Sequence, residues 1–171
     1  MDLDEAAANF VRSTTHCDNL IAVHRRSGGD KAGKRDEEIS VNRAIVVLTV
    51  GAWQAVIQDF TRACLDLGTP GPGDTVSLPT YSLISGRVKM EINNFSTPDA
   101  QRSRALLLGA GYDPRPTWTW TQRAGQGKGM VTWLPGDADR RIAEWLRLRN
   151  AIAHGDAVLP AESSCFLCRS L

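Results

Sequence analysis

The sequence predicts an all-α fold: a helical bundle interrupted, ahead of its last helix, by a small β-hairpin or a long irregular insertion. Three observations carry that expectation. Apolar residues recur at three- and four-residue steps through most of the chain. Clusters of glycine and proline separate these runs into helix-length pieces. Runs rich in Thr, Val and Trp flank one glycine loop only, between Trp118 and Trp133. With 171 residues, 42% hydrophobic and 23% charged, the chain has the length and composition of one globular domain, read as spanning residues 1–171.

The first helix is marked by Leu3, Ala6, Ala7, Phe10, Thr14, Cys17, Leu20, Ile21 and His24, one stripe running to about Arg26. Ser27 to Arg35, rich in glycine and lysine, reads as a basic loop, a solvated linker or an RNA-backbone contact. The second helix is the clearest in the chain. Val46, Val50, Trp53, Ile57, Phe60, Cys64 and Leu67 alternate steps of four and three, and Ile45, Val47, Leu48 and Val56 widen the stripe. Such breadth predicts a central helix, ended by the Gly/Pro run at residues 68–73.

A third helix is expected from about residue 81 to 95, with Leu83, Val88, Ile92 and Phe95 as its apolar positions. Thr97 as N-cap and Pro98 at the first helical position would open a short leucine-rich helix that Gly109 or Gly111 ends. Trp118-Thr119-Trp120-Thr121 and Met130-Val131-Thr132-Trp133 can pair as a hairpin around the glycine loop. Their tryptophans either fill the core, the usual role of such side chains, or stack on bases. The last helix starts near Asp137, where Asp137 or Asp139 can cap exposed amides, and reaches about His154.

Composition narrows the function classes. No uninterrupted apolar run approaches the length of a membrane span, and the N-terminus is acidic where a secretory signal would be basic. The expectation is a cytoplasmic protein with no membrane partner. Of the four cysteines only Cys165 and Cys168 are close, and no second pair completes a four-ligand zinc site, so free thiols and no metal or cofactor are expected. Charge is uneven: residues 1–86 carry a net −3 and residues 87–149 a net +5. A phosphate-bearing partner would favour the second half, although solvated helix faces give the same balance.

The segment Arg149-Asn150-Ala151-Ile152-Ala153-His154 stands out. On a wheel at about 100° per residue, Ile142, Trp145, Leu146, Ile152 and Ala153 define the buried stripe and Arg149 falls in its middle. A guanidinium there is costly without a partner. Asn150 and His154 share an adjacent flank with Arg147. Two readings stay open. In one, Arg149 pairs with a carboxylate from another helix and His154 helps to end its own. In the other, both face a cleft and act on a phosphodiester, histidine moving a proton and arginine stabilising phosphate charge.

Arg149 to Gly155 resembles the Arg-x-x-x-x-His signature of HEPN domains, in the form with Asn after Arg and Gly after His. Upstream, Ile92-Asn93-Asn94-Phe95-Ser96-Thr97-Pro98, the leucine-rich run 104–108 and Gly111-Tyr112-Asp113 resemble the RiboL-PSP branch of that superfamily. The resemblance covers about residues 40–156. It implies a HEPN-like bundle, commonly a homodimer with two motifs facing one cleft, and often a metal-independent endoribonuclease in toxin–antitoxin, phage-defence or other RNA-targeting systems. His154 would then be the acid/base group, Arg149 the phosphate-binding cation and Asn150 the residue that positions them. Arg147 and Asp156 would contact substrate. The implied partners are RNA, a second copy, and a cognate antitoxin or other regulatory protein. Where HEPN domains place another helix after the motif, residues 157–168 offer Pro160 and Ser163-Ser164 instead. That departure leaves a shortened, irregular C-terminus, a bundle that a partner completes, or a non-catalytic dimerising module.

Overall fold

The computed structural model describes residues 1–27, 36–123 and 129–156. It is helical, with one two-stranded hairpin. The helices are α1 (Leu3–Ser27), α2 (Asp36–Leu67), α3 (Ser77–Asn93), α4 (Ala100–Gly109) and α5 (Pro135–Ala153). A single 3-10 turn, Arg115–Thr117, precedes strands β1 (Trp120–Arg123) and β2 (Met130–Trp133). The hairpin therefore sits where sequence places it, immediately ahead of the last helix. Of the basic loop expected at 27–35, residues 28–35 lie outside the described residues, as do 125–128 of the glycine loop and the segment from 157 onward with Cys165 and Cys168.

Helix α2 is central and packs against α1, α3, α4 and α5. Its segment Ile39–Leu67 is also long and apolar enough to cross a membrane by length and composition, although its apolar residues are interrupted by polar ones. The core joins Ile57 and Leu65 of α2 to Val88 and Ile92 of α3, then to Phe95, Leu106 and Leu107, with Trp53, Phe60 and Tyr112 packed around it. Leu67, expected in the stripe, is 76% exposed because it is the last residue of the helix, whereas the small residues Thr61 and Ala63 are buried.

Helix α1 docks through most of the expected stripe, with Thr14, Leu20, Ile21 and His24 half-buried. Ala6 and Cys17 are buried, Asn9 and Ser13 are half-buried, and Leu3, Ala7 and Phe10 remain exposed. Polar contacts add a flank to that face: Asn9 Nδ2 donates to Asp59 Oδ2 at 3.0 Å, and Thr49 Oγ1 lies 3.6 Å from Cys17 Sγ. Behind α1, an apolar cavity of about 200 Å³ is lined by Phe10, Val50, Trp53, Ile142, Trp145 and Leu146, among others. Cys17 and Cys64 are free thiols, and burial pushes the Cys64 thiol up.

Two helix starts differ from expectation. Helix α3 begins four residues early because the Asp74 carboxylate accepts the amides of Val76 and Ser77 at 3.2 and 2.9 Å, and Pro79 is tolerated in a first turn. Those amide bonds, Ser77 first, hold the Asp74 carboxyl below its usual range. Helix α4 is capped by Asp99, which accepts the Arg102 amide at 2.7 Å, rather than by Thr97. Pro98 is instead buried, and its carbonyl accepts the Trp53 indole N–H at 2.9 Å. Gly111 then closes α4 in the left-handed conformation (φ 90°), with the Tyr112 amide returning to the Leu107 carbonyl at 3.0 Å.

Asp113 ties α4 to the following turn. Its carboxylate accepts Arg104 Nε and Nη2 at 2.9 and 2.7 Å and the Arg115 amide at 3.0 Å. The Arg104 hydrogen bond, followed by the Arg115 amide, holds the carboxyl down to about 2. An unfolded aspartate titrates near 3.9. The folded value is lower, so this stabilisation is full above about pH 4 and disappears as pH falls towards about 2. Thermal melts between those pH values should fall less steeply for Asp113→Asn than for wild type. Parallel curves would show that the pair contributes nothing.

Candidate functional site

The C-terminal end of α5 carries the motif. The helix starts with Pro135 at its first position, and the Asp137 carboxylate reaches back to accept the Leu134 amide at 2.9 Å. This confirms Asp137, not Asp139, as the capping group. Ala138 and Leu146 are buried and Ile142, Trp145 and Ile152 are half-buried, but Ala153, expected in the stripe, is exposed because it is the helix's last residue.

His154 is the C-cap residue (φ −83°, ψ −2°) and Gly155 follows at φ 76°. The Gly155 amide donates to the Ile152 carbonyl at 3.1 Å and the Asp156 amide to the Ala151 carbonyl at 3.0 Å. This paired return is a Schellman closure, which needs a residue at ease with positive φ. Gly155 thus has a backbone reason to follow the histidine. The imidazole itself is exposed and makes no hydrogen bond among the described residues.

Arg149 is half-buried and has no carboxylate partner among the described residues. Its Nη1 donates to Asn150 Oδ1 at 3.1 Å and its Nη2 to the Ser96 carbonyl at 3.3 Å. The carboxylate pairing weighed from sequence is thereby replaced by two neutral acceptors. Ser96 lies in the α3–α4 connection that the Asp99 cap and the Trp53–Pro98 bond hold in place. Asn150, Arg147 and Asp156 are all exposed.

One cation near the motif escaped the sequence reading. Arg43 of α2 donates through Nη2 to the Asp156 carbonyl at 3.0 Å, and its Nε is buried without a partner among the described residues. Its separation from Asp156 is 113 residues, and no local pattern marks it. The structure therefore brings Arg149 together with Asn150 and Ser96, and Arg43 with Asp156. It does not hydrogen-bond His154 to Arg149. Five residues at about 100° each place those two side chains roughly 140° apart around the helix.

Among the described residues no cluster of three His, Cys, Asp or Glu side chains is arranged to hold a metal. No protein-family model, curated protein or solved structure matches the chain.

Proposed function

We propose that the chain is a HEPN-type domain and a metal-independent endoribonuclease acting as a homodimer. One observation carries the reading: Arg149, Asn150 and His154 occupy one exposed helix end, with the imidazole open to solvent and the guanidinium oriented by Asn150. His154 would take the proton from the RNA 2′-hydroxyl as that oxygen attacks phosphorus, and the P–O5′ bond would break as the leaving 5′-oxygen gains a proton. The products are a 2′,3′-cyclic phosphate and a 5′-hydroxyl. Arg149 would stabilise charge on the phosphate oxygens, a role its fork of donors suits. Arg147 and Asp156 would border the bound strand.

The angle between His154 and Arg149 favours the dimer. Each copy turns the two groups to different sides, so apposed α5 ends can place one copy's imidazole opposite the other's guanidinium. Such an enzyme acts in the cytoplasm, as a toxin or phage-defence effector restrained by a cognate antitoxin or other regulatory protein.

Labelled RNA incubated with the protein in EDTA tests this. Wild type should release fragments ending in cyclic phosphate, and His154→Ala should cleave at least a hundredfold more slowly. Equal cleavage by both proteins, or none by wild type, removes the assignment.

A second reading has its own support. The Schellman closure and the Ser96 bond give Gly155 and Arg149 structural tasks, as a non-catalytic dimerising module would require. It binds RNA or regulates a partner protein without turnover, and the same assay separates the two.

A further inference from the structure

The hairpin and α5 enclose a second feature that the motif does not use. Trp120 and Trp133 face each other across the strands with rings parallel to within 3° and centroids 5.5 Å apart. The Arg141 guanidinium lies 5.4 Å from the Trp133 ring centre. Beside them is a groove of about 260 Å³, bordered by Val131, Trp133, Asp137, Arg140, Arg141 and Glu144, among others. It has room for about one nucleoside.

Its chemistry is mixed in a useful way. Trp120 stays 41% exposed despite its size, and the Trp133 indole N–H is buried with no acceptor among the described residues. Asp137 already accepts the Leu134 amide and pairs with Arg140, while Glu144 pairs with Arg141. Each guanidinium in the groove is thus already balanced by a carboxylate. The exposed Trp120 ring offers a stacking surface to a nucleobase, and Arg140, its side chain 68% exposed, can exchange its carboxylate partner for a phosphate.

The exposed face of α5 continues from this groove. Arg140, Ala143, Arg147, Asn150 and His154 follow one another at steps of three and four, all exposed, with no carboxylate among them. At 1.5 Å per residue the line from Arg140 to His154 is about 21 Å long, the length of about six stacked nucleotides.

We infer that the exposed Trp120 ring, stacked on Trp133 beside this groove, takes a base of single-stranded RNA while the Arg140–Arg147–His154 line of α5 carries its backbone towards the motif. The direction of the strand rests on the ribonuclease reading; binding at Trp120 does not.

A fluorescein-labelled 2′-O-methyl RNA octamer, which the 2′-hydroxyl route cannot cleave, separates the two. Anisotropy titration of the full chain should show binding that weakens about tenfold in Trp120→Ala. Arg147→Ala, at an exposed position with little bearing on folding, should lower the log–log salt slope by about 0.7. Binding that neither substitution changes, no binding by wild type, or equal competition from an octaglutamate peptide overturns the inference. Unchanged titrations alongside RNA cleavage lost in His154→Ala would leave the nuclease standing without the groove. Weakened titrations without any cleavage would leave the groove without the nuclease.

Discussion

Replacing Ile92 with alanine should lower the unfolding free energy by about 2–5 kcal/mol, the range for removing a large aliphatic side chain from a closed core. Ile92 is 1% exposed and sits among Ile57, Leu65, Val88, Phe95, Leu106 and Leu107, where three helices and the segment after α3 meet. The surrounding backbone is fixed as well. The Ile92 carbonyl accepts Gln58 Nε2 and the Phe95 carbonyl accepts Gln54 Nε2, both at 2.8 Å. Walls tied in this way collapse little into a cavity, which places the cost high in the range. Domains of this kind have about 5–15 kcal/mol in total, so the loss is a large share. Urea titration should show a lower midpoint with an unchanged slope. Leu83→Ala on the same helix is the matched control: Leu83 is 78% exposed, and its loss should change stability by less than about 0.5 kcal/mol. Equal effects at both positions would mean that α3 does not close the core through Ile92.

The second large effect is expected at Arg149. Under the ribonuclease reading, Arg149→Ala should slow RNA cleavage by about 10²–10³, as loss of a donor aimed at developing charge does. Its stability cost should stay near 1 kcal/mol, since the structural loss is one hydrogen bond of 3.3 Å to the Ser96 carbonyl and one to a neighbouring side chain. Arg149→Lys retains the charge but not the paired donors, so it should fold as well as wild type and recover only part of the activity. If Arg149→Ala instead loses more than about 3 kcal/mol and cleaves normally per folded molecule, the arginine serves the bundle and not the substrate. Chemical denaturation and cleavage measured on one preparation separate these results.

Helix positions were legible wherever a single face repeats. The stripe from Val46 to Phe60 predicts α2, and the Trp/Thr-rich runs predict the hairpin, because both patterns are set by local periodicity. The α4 start was misplaced by two residues for a non-local reason: the Pro98 carbonyl is taken by Trp53, 45 residues away. The α1 stripe is legible at Ala6, Thr14, Cys17, Leu20 and Ile21, whereas Asn9, which bonds Asp59, and half-buried Ser13 add a polar flank that hydrophobic spacing underweights. At the motif, the wheel located Arg149 near the buried face. It contained no sign of Ser96 or Arg43, which tertiary packing supplies across separations of 53 and 113 residues.

The docking of α1 stands apart from the central core. Helices α2, α3 and α4 share the aliphatic core, whereas α1 packs outside that cluster, through Ala6, Cys17, Leu20 and Ile21 with Asn9 and Ser13, and over the cavity beside Trp53 and Trp145. Detaching α1 leaves the cluster around Ile57 and Ile92 intact, so α1 should open at lower free energy than the whole bundle unfolds. In hydrogen-exchange terms, the amides of α1 should exchange faster than those of the α2–α4 core, and equal protection would show that α1 opens only with the whole bundle.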